Sequence, residues 1–364
     1  MSHYLLSVGA YRVQKELATL LISGVLLQPA TADDFSGEPF LLRLALSIDR
    51  ASNYADTAAR LASAAYPGGS ADNPAGDGFP TARVDAQGTP VTFTTINAFS
   101  ESGAWISAAA VTSTFHTIDH GVWSAEYHYT KTIDSDNQEG LTSDLRAQEF
   151  VLGWSQALSE DLSVGIRGRL VPAKIRHEAR FIDVGMQPLR HDTDQFGGDV
   201  WVGVMGRIAD KVTAGAVIRL GWADTDNTIK NLVALGPIPP LTELSNFDDD
   251  TQIRGLKFGL GYQASSELQM YTDVQYLRVH SNAGGALEVG RFSGGAEVKI
   301  SPKVTGIFGG VYDTESELTL GVGLALRPAK SAKLHITYQH NGAPEIDREF
   351  GNVNYVNASL AVQF

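Results

Sequence analysis

Several stretches of the sequence carry residue types whose spacing could do chemistry. In "DLSVGIRGRL" Arg167 and Arg169 stand two apart, and in "KVTAGAVIRLGW" Arg219 lies on the polar side of a similar alternation. Residues two apart on an extended chain share a face. With Lys257, Lys299 and His335, these arginines could hold a carboxylate head group through charge-assisted hydrogen bonds. The competing reading is pairing with Glu126, Asp273 and Glu297, since interior charges usually pair. "VHSNAGG", Val279 to Gly285, sets a histidine beside a serine. Neighbouring strand residues point to opposite faces, so His280 and Ser281 cannot cooperate if a strand runs through them. "FDDDTQ" offers Asp248, Asp249 and Asp250 to calcium, but no EF-type spacing follows, and a solvated acidic loop is the expectation. No zinc spacing, phosphate-binding glycine loop or nucleophile elbow is present. We therefore expect no catalytic residue, no metal and no cofactor.

Two further segments bear on binding. "IKNLVALGPIPPLTEL", Ile229 to Leu244, is apolar for a connecting segment. Leu232, Val233, Leu235, Ile238, Leu241 and Leu244 could capture a greasy ligand, each buried CH₂ contributing about 0.8 kcal/mol. They could equally pack as a lid. Upstream, "PGGSADNPAGDGFP", Pro67 to Pro80, suits no regular element and reads as a loop or irregular plug.

The elements that would position these residues follow from periodicity. Residues 38–66 look helical in part, with Leu41, Leu44, Ala45 and Ile48 on one face. From about residue 90 the period becomes two. Val212, Ala214, Ala216, Ile218, Leu220 and Trp222 take one face of their segment, and Thr213, Gly215, Arg219 and Gly221 most of the other. Strands are expected near 88–99, 103–117, 120–133, 143–158, 161–177, 195–209, 211–225, 251–264, 267–281, 286–300, 303–313, 316–327, 332–342 and 352–364. That makes about fourteen, most of them long enough to cross a bilayer at a tilt. The joins "ALSED", "IADK", "QASSE", "ISPK" and "RPAKSA" are tight, whereas the intervening ones are mostly longer, the longest near 178–194 and 226–250. Short turns at one end and long loops at the other are the arrangement of an outer-membrane barrel, apolar outside and polar in the lumen. Trp105, Trp123, Trp154, Trp201 and Trp222 fit interfacial girdles.

The bulk properties agree. A net charge of −13 offers no basic surplus to nucleic acid, and the absence of cysteine excludes disulfides and thiolate sites. "LATLLISGVLLQPATA", closing on Ala30-Thr31-Ala32, reads as a secretory signal peptide cleaved after Ala32. No later run reaches the ~20 apolar residues of a membrane helix, so entry into a membrane requires a closed barrel. The expected organisation is a signal peptide at 1–32, a plug at 33–86 and an all-β transmembrane antiparallel barrel at 87–364. The plug is expected to be small, helical or irregular, and seated in the lumen.

Within the plug stands "SADNPAGDG", with Asn73, Pro74, Ala75 and Gly76. Here the chain resembles the FadL/TodX family of outer-membrane transporters for long-chain fatty acids and other hydrophobic compounds. The resemblance rests on the Asn-Pro-Ala motif, the roughly forty residues of mature chain before it, the strand number, and the longest loops following strands five and seven. It implies a plug, or hatch, that gates passive uptake of a hydrophobic small molecule, with residues 73–76 as the moving part. It also implies a monomer in the outer membrane of a Gram-negative cell, among lipopolysaccharide, inserted by the barrel-assembly machinery. One departure concerns strand three, "HGVWSAEYHYTK", which has no interior glycine where the family's lateral opening needs a kink. A general diffusion porin and an outer-membrane lipid hydrolase remain open as alternatives. In the last strand, Val356, Ala358, Leu360, Val362 and Phe364 should face lipid, and Asn357, Ser359 and Gln363 the lumen. A C-terminal aromatic on an alternating strand resembles the assembly signal. Deleting Phe364 should therefore lower the yield of folded barrel at the cell surface, measured by surface labelling, without changing transport per assembled barrel.

Overall fold

The computed structural model describes residues 63–66, 73–80, 90–100, 105–117, 121–134, 141–179, 189–231, 240–241, 243–282, 285–314, 318–340 and 353–363. The expected signal peptide, Phe364 and all of the partly helical stretch except residues 63–66 lie outside them. Residues 63–66 and 73–80 of the plug are built of turns, closed by Tyr66 N–H to Ser63 O, Gly76 N–H to Asn73 O and Phe79 N–H to Gly76 O.

The alternating segments form fourteen strands: β1 (Pro90–Ser100), β2 (Trp105–Thr117), β3 (Gly121–Asp134), β4 (Leu141–Ala157), β5 (Leu162–Ala179), β6 (Leu189–Ala209), β7 (Val212–Asn231), β8 (Glu243–Gln263), β9 (Leu268–Ser281), β10 (Gly285–Ser301), β11 (Val304–Asp313), β12 (Thr319–Ala329), β13 (Ala332–His340) and β14 (Val353–Gln363). Each pairs with its sequence neighbours, and β1 pairs antiparallel with β14 from Pro90 opposite Gln363 to Ser100 opposite Val353. The sheet is a closed barrel, so no backbone edge is left unpaired.

Which face is apolar decides the surroundings. On β7, Ile218, Leu220 and Trp222 are 52%, 58% and 43% exposed, while Val217 and Arg219 of the alternate set are buried. Phe93, Leu152, Val202, Phe258, Phe292, Phe308 and Val322 continue this exposed belt around the other strands. On β14, Val356 and Leu360 point outward and Asn357 inward. Arg167, Arg169, Lys257 and His335 all turn inward and are buried. An apolar surface on this scale is untenable in water, and apolar-out with polar-in is the pattern of a barrel in lipid.

At one end the strands join by the expected short turns, stitched to their neighbours by Arg207 N–H to Asp161 O, Gln263 N–H to Lys211 O, Lys299 N–H to Glu267 O and Gln363 N–H to Ser331 O. At the other end the strands outrun the sequence expectation. β6 begins at Leu189 rather than 195, β7 runs to Asn231 rather than 225, and β8 begins at Glu243 rather than 251. These extensions ("LRHDTD", "DNTIKN", "ELSNFDDD") are polar on both faces, so they carry no period-two signal, yet the ladder continues through them. Asp248, Asp249 and Asp250 accordingly sit on a strand and not in a loop, opposite Asp226, Thr225 and Asp224. Residues 180–188 after β5, and 232–239 and 242 after β7, lie outside the described residues.

Asp192 ties this protruding sheet together. It accepts hydrogen bonds from Arg190 (2.9 Å), Arg176 (3.1 Å) and Lys230 (3.4 Å), spanning β5, β6 and β7. Partial burial would raise its carboxyl, but the hydrogen bonds from Arg190 and Arg176 outweigh this and hold it below the ordinary value of 3.8. A carboxyl more acidic in the folded state than in the unfolded one stabilises at pH above the unfolded value. That stabilisation is lost as the pH falls through the folded value. Pepsin digestion between pH 4 and pH 2 should show a rise in cleavage at the outer ends of β6 and β7. In Asp192→Asn the protection at pH 4 should already be lost and the pH step absent.

Candidate functional site

The site is built where the plug meets the barrel wall. Asn73 is fully buried, and its side-chain N–H₂ donates to Ala64 O (2.6 Å) and to Val204 O of β6 (3.0 Å). Its side-chain oxygen accepts from Ala75 N–H at 3.0 Å, an Asx turn that fixes the motif's own shape. Pro74 cannot donate, so the turn leaves no buried N–H behind at that position. Ala75 O accepts from Ser163 Oγ of β5 (2.8 Å), Ala65 O from Thr213 Oγ1 of β7 (3.1 Å), and Ala64 N–H donates to Asp273 of β9 (2.7 Å). Ala75 and Phe79 pack on Met205, and Ala64 on Trp201 and Val217.

This approach needs a wall without side chains. Gly165 lies opposite Gly203 on β5 and β6, and Gly215 opposite Gly259 on β7 and β8. A Cβ on Gly165 would collide with Pro74, on Gly203 with the Asn73 side chain, on Gly215 with Ala64 O, and on Gly259 with Asp273 and the Ala64–Ala65 backbone. These glycines are the functional residues that sequence reasoning missed. The signal available was an inward-facing glycine on each of four successive strands.

One step outward along the strands lies a band of charge. Arg167, Trp201 and Arg219 sit opposite one another across β5, β6 and β7, followed by Arg169 opposite Asp199. Asp199 receives Arg169 through two bonds (2.7 and 3.2 Å) and Arg219 at 2.6 Å. Arg167 pairs with Glu126 of β3 (3.1 Å), and Arg169 also approaches Glu149 of β4 (3.5 Å). His128 bridges Glu126 (3.1 Å) and Glu149 (3.8 Å). Three guanidinium groups thus face three carboxylates, all buried, and the arginines expected to hold a ligand carboxylate are brought together but meet acids of the wall. Trp201 is not part of an interfacial girdle. It is 6% exposed, turned into the lumen by the outward alternation of Val200, Val202 and Val204, with the Arg167 and Arg219 guanidinium groups 5.7 and 5.0 Å from its ring centre. Trp123 and Trp222 do face outward, at 41% and 43% exposure.

The remaining expectations divide. Gly76 closes the motif's turn by donating to Asn73 O at 2.8 Å. Leu232, Val233, Leu235 and Ile238 lie outside the described residues. Leu241 is 53% exposed with φ of 60°, a rare conformation for a leucine, and its N–H donates to Asn231 O. Leu244 stands near the start of β8. β9 runs through His280 and Ser281, leaving His280 exposed and Ser281 buried and bonded to Asp249. β3 pairs without interruption with β4 from Val122 to Lys131, and with β2 from Gly121 to Thr132. The β4–β5 ladder does lapse, between Ala147–Ala173 and Phe150–Leu170, where Pro172 has no N–H to give. Just beyond, outward Gly168 and Gly198 floor an apolar depression of about 880 Å³ on the lipid face, walled by Phe150, Leu152, Leu170 and Trp222.

A lipid-facing barrel with a chain segment locked into its lumen is a plugged transmembrane β-barrel. The same architecture is found in solved structures. The chain is similar to the Pseudomonas putida toluene transporter TodX (TM-score 0.57, 13% identity, 84% of this chain and 96% of that one). It is similar to the Ralstonia pickettii toluene transporter TbuX (0.56, 14%, 80% and 92%) and to a Pseudomonas aeruginosa FadL homologue (0.56, 10%, 85% and 98%). At these identities the likeness is one of fold. No family model and no curated protein matches the sequence.

The seating of the plug is open to direct measurement, because the chain has no cysteine of its own. In an Ala75→Cys background the thiol should resist labelling. Adding Asn73→Ala strands the Ala64 and Val204 carbonyls, at about 1–3 kcal/mol for each buried group left without a partner. The labelling rate should rise about tenfold or more, and Gly215→Ala should act likewise, with the barrel still heat-modifiable on gels.

Proposed function

We propose that this chain is an outer-membrane channel for passive, hatch-gated uptake of hydrophobic small molecules, of the kind transported by FadL/TodX-type proteins: hydrocarbons or long-chain fatty acids. The observation that carries this reading is the Asn73-Pro74-Ala75 turn seated in a glycine slot of a closed, lipid-facing barrel. Structural neighbours, two toluene transporters and a monoaromatic hydrocarbon channel among them, support it. The hatch is residues 33–86, the gate its segment 73–76, and the ligand enters from the long-strand end, where exposed Leu241 and the apolar connection around it collect it from water. Residues 167, 169 and 219 serve the path by holding a neutral, salt-bridged band across the lumen, which gives a small ion no net charge to follow. The protein works as a monomer among lipopolysaccharide, placed there by the assembly machinery.

The unbroken pairing of β3 speaks for exit other than through that strand. A diffusion porin would have an aqueous path past the plug, and a hydrolase would need His280 and Ser281 on one face. Deleting residues 33–80 and recording single channels in planar bilayers separates the readings. The intact barrel should be closed or nearly so, and the deletion should open a large steady conductance. A barrel equally conducting before and after deletion would overturn gating by the hatch and favour the porin.

A further inference from the structure

The hydrogen bonds that seat the hatch go to β5, β6, β7 and β9, and its Tyr66 packs against Tyr271 of β9, ring centres 5.3 Å apart. Beyond Tyr271 the inner wall loses its side chains. Tyr271 stands opposite Gly295 of β10, Gly295 opposite Gly309 of β11, and Gly309 opposite Gly321 of β12. All three glycines face the lumen, because Phe292, Phe308, Leu320 and Val322 take the lipid side of the same strands. Inward glycines in register on successive strands leave a bare strip where another molecule can approach the backbone closely.

The strip ends on polar side chains. Gly321 stands opposite Gln339 of β13, and Gly323, the next inward position on β12, stands opposite Thr337. Thr337 in turn faces Asn357 of β14 across the ladder, with Cβ atoms about 4.5–5.5 Å apart. Thr337, Gln339 and Asn357 are each 3% exposed. Thr337 Oγ1, Gln339 Oε1 and both side-chain amide atoms of Asn357 have no hydrogen-bond partner among the described residues. Buried polar atoms are nearly always partnered, by protein, water or ligand. There is room beside them. A cavity of about 320 Å³ between Tyr66 and β10–β13 has Ile307 in its wall, and Ile307 stands opposite Gly323.

The atom types decide what could be held. The Thr337 hydroxyl both donates and accepts, the Asn357 amide offers N–H donors beside an acceptor, and Gln339 Oε1 only accepts. None of the three side chains carries a charge. A carboxylate would be set against the Asn357 and Gln339 oxygens, and an ammonium against the Asn357 N–H₂. A hydroxyl gives and takes a hydrogen bond, and it suits either orientation of the Asn357 amide. We infer that the inner face of β10–β14 holds a site for an uncharged, hydroxyl-bearing aromatic molecule, a phenol or an aromatic alcohol. Its ring lies on the glycine strip and its hydroxyl between Thr337, Gln339 and Asn357. The site follows from the geometry of the wall. Its place on a transport path deepens the uptake reading, rests on it, and extends the cargo from hydrocarbons to their hydroxylated relatives.

The test uses the full-length chain in amphipol with a single Gly309→Cys as reporter, since the chain has no thiol of its own. A methanethiosulfonate reagent should modify this thiol, and 4-ethylphenol and ethylbenzene should both slow the modification. Half-protection by 4-ethylphenol should need about a tenth of the saturation fraction that ethylbenzene needs. In Thr337→Val with Asn357→Leu that preference should vanish while ethylbenzene protection stays. Apolar replacement of unpartnered buried groups leaves the fold intact, which heat-modifiability on gels scores. If Gly309→Cys fails to fold, Ile307→Cys in the cavity wall reports in its place. Protection by neither compound would show a strip filled by water only and overturn the site. Equal protection by both, or a preference that survives the double substitution, would overturn recognition of the hydroxyl. Protection by 4-ethylbenzoate as strong as by 4-ethylphenol would overturn the uncharged head group. Toluene uptake by cells expressing the unmodified chain is scored in parallel. Uptake without a hydroxyl preference refutes the site and leaves the uptake reading standing, whereas a hydroxyl preference without uptake leaves the site and refutes the uptake reading.

Discussion

In hydrocarbon, a backbone N–H or C=O without a partner costs several kcal/mol, and no water is present to supply one. The pairing of β1 with β14 answers that constraint, and much else follows from it. A closed sheet has only an outside and an inside. The outside must be apolar, so Phe258, Ile218 and Leu152 are spent on lipid and the polar half of every strand is turned into the lumen. There the charges crowd together. Arg169 and Arg219 share Asp199, Arg167 takes Glu126, and His128 lies between two glutamates. Such pairs stabilise little in net terms, but removing one partner would strand its opposite in a buried site. The band is therefore best understood as a requirement of closure that has been made into a partition.

The plug exploits the same geometry differently. A segment without regular structure carries backbone groups that no ladder satisfies. The wall supplies the missing partners: Val204 O, Ser163 Oγ, Thr213 Oγ1 and the Asp273 carboxylate. The glycines let the wall come close enough to do so. Trp201 connects the two layers, packing on Ala64 of the plug and lying under two arginines of the band.

Much of this was legible in the sequence. Strand number, closure and facing follow from a period of two, because lipid makes the alternation strict within the belt. The strand ends beyond the belt did not follow, since "DNTIKN" and "FDDDTQ" are largely polar in both alternating sets of residues, and nothing in their composition marks which set turns inward. Trp201 was misplaced because tryptophan is common at interfaces, although Val200, Val202 and Val204 already assigned it inward. The Asn73-Pro74-Ala75 turn could be singled out, but its socket could not. The socket joins residues 165, 203, 215 and 259, whose adjacency exists only once the register is known.

The bonds that the described residues of the hatch make with the wall, from Ser163 on β5 to Asp273 on β9, form a row. Bonds set in a row give way in sequence from one end, whereas bonds set in a ring must give way together. Asn73 holds two contacts at once, to Ala64 O and to Val204 O, so it ties the two described pieces of the hatch to each other and to the row.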